Sequence, residues 1–453
     1  MLACLPDLLF TPHEYQVLTA QKILYEMDCR ALIADEVGLG KTIEAGLIIK
    51  ELLRTGQAKK ILILTPASLV QQWWSELNEK FGLNFWVSRK GPWAWAGQCV
   101  ISSLDKAKRE EHRQYLLENE YDLVVIDEAH KLKNRKTSNW SLVSLLKTKG
   151  LILLTATPMQ NKVEEIYNLV CLLRPELFPD YDGFLNYYQL NPKTMISDLR
   201  DKLQDVMIRN LTQELDIKNI NRNISLIQVE LSEPEKEIYK RIKAYPGTFL
   251  SLTLCKEFCS SLSALYDTLR KKGDYEILPL LEECEISPKL KHLDLILRCH
   301  HGKILIFTEY LQTQFYIARY LNQQNVKFLL FNGMLKRGQK EWVKDLFEKR
   351  DIPVMISTDA GSQGLNFQYC DVIVNFDLPW NPMKVEQRIG RIDRLGQKSD
   401  SVYIYNFVMK GTLEEKIFTV LSEKISLFKQ CVGELNKILV DNEEELYEMI
   451  GRL

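Results

Sequence analysis

The chain has no apolar run approaching the roughly 20 residues of a membrane span, so no transmembrane helix is expected. Its opening segment lacks a basic start followed by a long apolar stretch, so no signal peptide is expected. It has no dense cysteine framework: ten cysteines are scattered over 453 residues, the pattern of reduced thiols in a cytoplasmic protein. Cys255, Cys259, Cys284, Cys299, His300 and His301 do not form paired C-x-x-C knuckles, so a zinc site is not expected. Charge of either sign is missing in excess, because the net charge is −1. That removes a global pull toward polyanions and leaves only local patches, such as Lys131, Lys133, Arg135 and Lys136, or Lys336, Arg337 and Lys340. No internal repeat and no low-complexity segment is present.

What is present is a rhythm. Short Val, Ile and Leu runs alternate with helix-length segments at 31–35, 60–66, 99–103, 123–128 and 151–158. The pattern returns at 303–310, 327–333, 354–359, 372–377 and 402–409. Such continuous apolar runs predict parallel strands covered on both faces, and the interruption predicts two α/β lobes. Between them, 210–288 reads as a helical insert; Ser232, Pro234 and Glu235 form a helix-start signature. The expected domains are 1–209, 210–288, 289–425 and a helical tail at 426–453.

The stretch ADEVGLGKTIEAG follows the first apolar run. It fits the phosphate-loop spacing G-x-x-x-x-G-K-[ST] except that Asp35 stands where the first glycine belongs. Gly38 and Gly40 free the backbone, and the segment from Lys41, through Thr42 and Ile43, predicts a helix whose N-terminus faces phosphate; Leu39 lies between the glycines. Lys41 is placed to reach the β and γ phosphates, and the Thr42 hydroxyl to hold Mg²⁺. In LVVIDEAH, Asp127 and Glu128 end a buried strand, where carboxylates are costly without a task. Asp127 suits Mg²⁺, and Glu128 suits orienting the attacking water.

ADEVGLGKTIEAG, ISSLDKAK, VVIDEAH, LLTATP and EQRIGRIDRLGQ occur in this order. The set resembles superfamily-two helicase motors of the SWI/SNF-type translocase group, and within it the bacterial RapA-like ATPases. The resemblance implies an α/β chain of two tandem RecA-like lobes with parallel sheets, a helical insert and a helical C-terminal tail. It implies ATP and Mg²⁺ as cofactors, with double-stranded DNA as the substrate track. It gives Gln16 the adenine edge, Thr155 and Thr157 the coupling of nucleotide state to motion, and Gln387, Arg391 and Arg394 the γ-phosphate. Two arginines three apart are expected to share one helix face. Thr65, Pro66, Ser102, Ser103, Thr308, Ser357, Thr358, Gly361, Gly364, Asn366 and Trp380 are the expected nucleic-acid contacts. Trp73 stands near them in the sequence, although for Trp73, Trp74, Trp93 and Trp95 packing is preferred to base stacking. Relatives of this group move along duplex without parting it, so the expected activity is ATP-driven translocation that displaces or remodels bound nucleoprotein. Alternatives are a strand-separating DNA or RNA helicase, or a motor subunit of a multi-protein bacterial complex, one of anti-phage defence included. A protein partner for targeting, no membrane, and a cytoplasmic, nucleoid-associated place in a bacterium complete the expectation.

Overall fold

The computed structural model describes residues 2–88, 95, 97–160, 162–178, 180–190, 192–215, 220–274, 276–282, 284, 287–359, 366–433 and 438–439, without the side chains of 187–190, 192–197 and 337. It divides into two units, Met1–Ile217 with Leu427–Leu435, and Lys218–Ser426 with Asn436–Leu453.

The first unit is built on a sheet of seven strands in the order β3-β4-β2-β5-β6-β1-β7. These are β1 (Arg30–Ile33), β2 (Ile61–Thr65), β3 (Trp86–Val87), β4 (Cys99–Ser103), β5 (Glu120–Asp127), β6 (Lys147–Leu154) and β7 (Met207–Ile208). Every pairing in it is parallel. β2 is buried at all five positions, as a strand covered on both faces must be. Helices α1 (Glu14–Tyr25), α2 (Lys41–Arg54) and α3 (Val70–Phe81) contribute Ile23, Leu47, Ile48, Trp73 and Phe81 to one apolar core with Ile33, Ile63 and Val125. Gly46 lets α2 approach α3, since a Cβ there would lie 2.4 Å from the Phe81 ring.

The second unit carries a sheet of six strands in the order β10-β11-β9-β12-β13-β8. They are β8 (Asn221–Val229), β9 (Ile304–Thr308), β10 (Phe328–Phe331), β11 (Val354–Thr358), β12 (Val372–Asn375) and β13 (Ser401–Met409), again paired in parallel. All ten apolar runs of the sequence lie on strands. β8 departs from expectation: it falls in the segment read as a helical insert, yet pairs with β13 from Asn221–Ser401 to Val229–Met409. It is an edge strand, half solvated and rich in polar residues, so it lacks the apolar signature of the inner strands. The helices Glu233–Lys243, Thr248–Ser260 and Leu262–Lys272 follow it, and Ser232 and Glu235 do form the capping box. The helix Leu413–Cys431 opens the tail; 440–453 lies outside the described residues.

Candidate functional site

In an open parallel sheet, ligands bind beyond the C-terminal ends of the strands. In the first unit the loop after β1, Thr65 ending β2, Asp127 ending β5 and Thr155 after β6 all sit at that edge.

The loop after β1 carries Gly38 at φ 97° and Gly40 at φ 87°, both in the left-handed region open to glycine. Gly40 is the N-cap of α2, and a Cβ there would also come within 2.9 Å of Gln16 Nε2. Gln16 is buried; its amide donates to the Leu39 carbonyl at 3.0 Å, and its oxygen accepts from the His13 N–H at 3.0 Å. It thus props the loop and caps α1. Lys41 Nζ donates to the carbonyls of Asp35 (2.7 Å) and Glu36 (2.9 Å), so its ammonium lies inside the loop that precedes it.

Asp35 explains the missing glycine. Its buried carboxylate accepts from the Asn210 backbone N–H at 2.9 Å and from the Asn210 amide at 3.0 Å. Glu36 accepts from the N–H and hydroxyl of Thr212 at 2.8 and 2.7 Å. The loop is therefore anchored by acids to the chain beyond β7, where a glycine would offer no side chain. Burial first, and Asp35 next, push the Glu44 carboxyl well above the usual range. Burial lowers the Lys41 ammonium, against the opposing pull of Asp35, Glu44, Glu128 and Asp127. One ammonium and four carboxyl groups thus share a single field, Asp35 and Glu44 buried and Lys41, Asp127 and Glu128 half-buried.

Asp127 accepts from the Trp73 indole N–H at 2.7 Å, the Thr65 hydroxyl at 3.3 Å and the Glu128 N–H at 2.8 Å. Burial and then Glu128 raise its pKa to about 6, and the Trp73 hydrogen bond works the other way. Glu128 stands at φ 51°, a left-handed conformation costly for a residue with a Cβ, and its carboxylate lies 3.0 Å from His130 Nδ1. Behind it, Lys133 donates to Gln160 (2.6 Å) and pairs with Glu165 (3.2 Å), while Gln160 donates to Thr157 (3.4 Å). The Thr157 N–H donates to the Thr155 hydroxyl at 3.1 Å. LLTATP is thereby wired to the segment that follows Glu128.

The second unit holds a cavity of about 730 Å³ lined by Lys256, Thr358, Asp359, Lys384, Gln387 and Arg391, among others. The helix Pro382–Ile389 carries Gln387; it ends at Gly390, and Arg391 and Arg394 follow in turns. The two arginines therefore do not share a helix face, which corrects the expectation. Arg394 folds back on the Gly390 carbonyl at 3.0 Å and donates to the Asn366 side chain. Arg388, unassigned by sequence, is buried and holds the helix down through Asp359 (2.8 Å), Asn375 (3.0 Å) and the Asp377 carbonyl (2.8 Å). Burial opposes it, yet Arg388 and Lys384 keep Asp359 below the usual carboxylate range. Arg222 on β8 reaches Glu386 at 2.9 Å and also Asp393, bracketing the same motif.

Thr65, Pro66, Ser102, Thr308, Ser357 and Thr358 are all buried. Thr308 donates to Asp377 at 2.6 Å, and Ser103 caps the helix Leu104–Ala107. Trp380 is 39% exposed, and its carbonyl accepts from Lys424. Gly361, Gly364 and Trp93 lie outside the described residues. Trp73 and Trp95 are buried, Trp95 donating to His112 at 3.2 Å, and Trp74 packs against the core. Cys255 and Cys259 are buried on one helix, and among the described residues no group of three or more His, Cys, Asp or Glu could hold a metal. Among them, too, no helix is long and apolar enough to cross a membrane.

Two parallel α/β units, one with a left-handed glycine loop opening a helix and paired acids at a strand end, define the class of helicase-type nucleotide hydrolases. The family model of the SNF2-related domain matches residues 15–271, and that of the helicase conserved C-terminal domain matches 288–396. An uncharacterized ATP-dependent helicase of Bacillus subtilis (strain 168), YqhH, is 44% identical over 472 residues, spanning 97% of this chain and 84% of the relative. The chain belongs to the SNF2-type group of superfamily-two ATP-dependent helicase motors, and it is an ATP hydrolase. Two solved structures are also similar. The Sulfolobus solfataricus SWI2/SNF2 ATPase core in complex with dsDNA shares 21% identity at a TM-score of 0.47, over 94% of each chain. The core domain alone shares 22% at 0.45, over 98% of this chain and 95% of that one.

Proposed function

We propose that the chain is an ATP-driven translocase on double-stranded DNA whose hydrolysis site uses Lys41, Thr42, Asp127 and Glu128 of the first unit, with Gln387 and Arg391 of the second. The observation that carries this reading is the half-buried Lys41 ammonium held in the field of Asp127 and Glu128 beside a left-handed glycine loop. A half-buried ammonium surrounded by acids is poised for a polyanion that brings its own counter-cation. The donors available, a threonine hydroxyl and a carboxylate, are the hard oxygen ligands that Mg²⁺ takes, and Mg²⁺ binds by one or two such groups plus substrate phosphates. Thr42 and Asp127 would hold it, and when bound it neutralises charge on the phosphate oxygens.

Lys41 exchanges loop carbonyls for phosphate oxygens. Backbone N–H groups of the loop and of the start of α2, up to Thr42, would face the same anion, while the Ile43 N–H is given to the Gly40 carbonyl at 2.7 Å. Glu128 orients the attacking water and takes its proton. Arg391 answers charge that develops on the γ-phosphate; a guanidinium in that role is worth about 10³–10⁵ in rate in related hydrolases. Arg394, folded onto Asn366, positions the turn that carries Arg391. Gln16 keeps the loop in place and would meet the adenine edge only by exchanging the Leu39 carbonyl for the base. Strand-end hydroxyls lie too deep for side-chain contact, so the duplex is gripped through backbone N–H groups and exposed side chains at the same edge.

ATP hydrolysis measured in parallel with duplex DNA, single-stranded DNA and RNA, over a range of salt, tests the proposal. Stimulation by duplex that fades with salt supports it. Triplex displacement without strand separation supports translocation; strand separation alone assigns an unwinding helicase instead. A rate indifferent to every nucleic acid, and raised only by an added protein, overturns the DNA reading in favour of a partner-gated motor subunit.

A further inference from the structure

A second concave site lies in the second unit, outside the hydrolysis residues. Its cavity measures about 490 Å³ and is lined by Lys236, Lys240, Lys243 and Lys410, with Glu230 and half-buried Tyr239. Three of these lysines stand on one helix, Glu233–Lys243, at spacings of four and three. That spacing stacks them on a single stripe. The opposite side of the helix, through Ile238 and Ile242, is buried, so the stripe cannot rotate away. Lys410, at the end of β13, adds a fourth ammonium from a separate element.

Local acids offset only part of this charge, at Lys236 and Lys410 and through solvent-exposed pairs, and leave Lys240 and Lys243. Glu233 is taken by Lys236 at 2.6 Å, Glu237 by Arg241 at 2.8 Å, and Glu230 sits 3.5 Å from Lys410. Among the described residues Lys240 and Lys243 have no ion-pair partner. Like charges at helical spacing repel, and the whole chain is at −1, so this stripe is a local departure with a cost. An external polyanion removes that cost. From Lys236 to Lys243 the helix advances about 10 Å, the length over which one duplex strand presents about three phosphates. Lysine is a rotatable point charge without arginine's planar fork, suited to following a backbone rather than reading a base.

We propose that this lysine-lined cavity is an auxiliary phosphate-backbone site for duplex DNA, separate from the grip that accompanies hydrolysis. The inference rests on the proposed function for the identity of the polyanion alone. Such a site would hold the motor on its track while the main grip is released.

The test is fluorescence anisotropy of labelled duplex DNA binding to the full chain, with log K plotted against log salt. The variant K236Q/K240Q/K243Q should flatten the slope by about 2 to 3, near 0.9 for each phosphate that is no longer neutralised. A charge-matched control, K149Q/K271Q/K349Q, removes lysines whose side chains are 81%, 77% and 70% exposed elsewhere, and should leave the slope in place. All six positions are on the surface, and unchanged melting temperatures will show that both variants fold. An unchanged slope in the site variant, or an equal fall in both, overturns the inference. So does displacement of the site's effect by polyglutamate as readily as by duplex, which would assign an acidic peptide. If DNA still stimulates hydrolysis while the site variant binds as wild type, this inference alone fails; if the wild-type chain binds no duplex, both readings fail.

Discussion

Replacing Trp73 by Phe removes one hydrogen-bond donor from the proposed Mg²⁺-binding carboxylate and leaves most of the packing. The indole N–H donates to Asp127 at 2.7 Å, and the ring is 2% exposed. A hydrogen bond to an ionised group contributes about 1.5–3 kcal/mol, against about 1 kcal/mol for a neutral one. Asp127 already has a pKa raised to about 6, chiefly by burial and by Glu128. Losing the N–H disfavours the anion further, by about 1–2 pKa units at 1.36 kcal/mol each. The sign follows. A carboxyl whose folded pKa is raised contributes stability below its unfolded value near 4, and loses it as pH rises through the folded pKa. In W73F that loss shifts to higher pH, but its full extent is larger. Urea unfolding of the protein without nucleotide should therefore show W73F losing about 1 kcal/mol at pH 5, from packing, and about 2–4 kcal/mol at pH 8.5. In hydrolysis assays, half-saturating Mg²⁺ should rise several-fold at pH 6.5 and recover toward wild type at pH 8.5. Equal destabilisation at both pH values, with unchanged Mg²⁺ demand, would show that Trp73 merely fills space.

Glu128→Gln should keep ATP binding in an equilibrium assay while turnover falls by about 10²–10⁴; near-normal turnover removes Glu128 from its role. Arg391→Ala should leave nucleotide binding by the first unit in place and cut the rate by about 10³ or more, whereas tighter ATP binding at an unchanged rate would contradict the assignment. Gly46→Ala puts a Cβ 2.4 Å from Phe81 and should cost about 1–3 kcal/mol by urea unfolding, part of it restored by Phe81→Leu. Lys289→Met breaks a buried pair with Glu414 at 2.7 Å and should cost about 3–5 kcal/mol at pH 8.5. Burial raises Glu414 to about 7 even with Lys289 opposing it, so at pH 5 the carboxyl is neutral and the loss should be smaller. A pH-independent loss would place the cost in packing instead.

The amino-acid sequence by itself determined the features that are contiguous in the chain. Continuous apolar runs marked ten strands, because a strand covered on both faces has no room for polar residues. The glycine loop, Lys41 and Thr42 are legible because a tight turn, a cation and a helix start must follow one another directly. Tertiary structure alone decided the partners. Trp73 and Asp127 lie 54 positions apart and meet because β2, which leads into α3, and β5 are neighbours in the sheet. Asp35 and Asn210, 175 positions apart, meet because β7 pairs with β1, which turns an absent glycine into an anchor. β8 was hidden, since an edge strand is half solvated and its identity rests on what it pairs with. The arginine pair departs from its helical spacing for the same kind of reason: a helix period says where residues would point, but the helix ends at Gly390, where its last N–H groups find carbonyls. Side chains chosen for hydroxyl chemistry proved buried because strand ends in this fold sink their small polar residues into one another's hydrogen bonds. Spacing along a chain fixes which groups are available; only packing fixes which of them face each other.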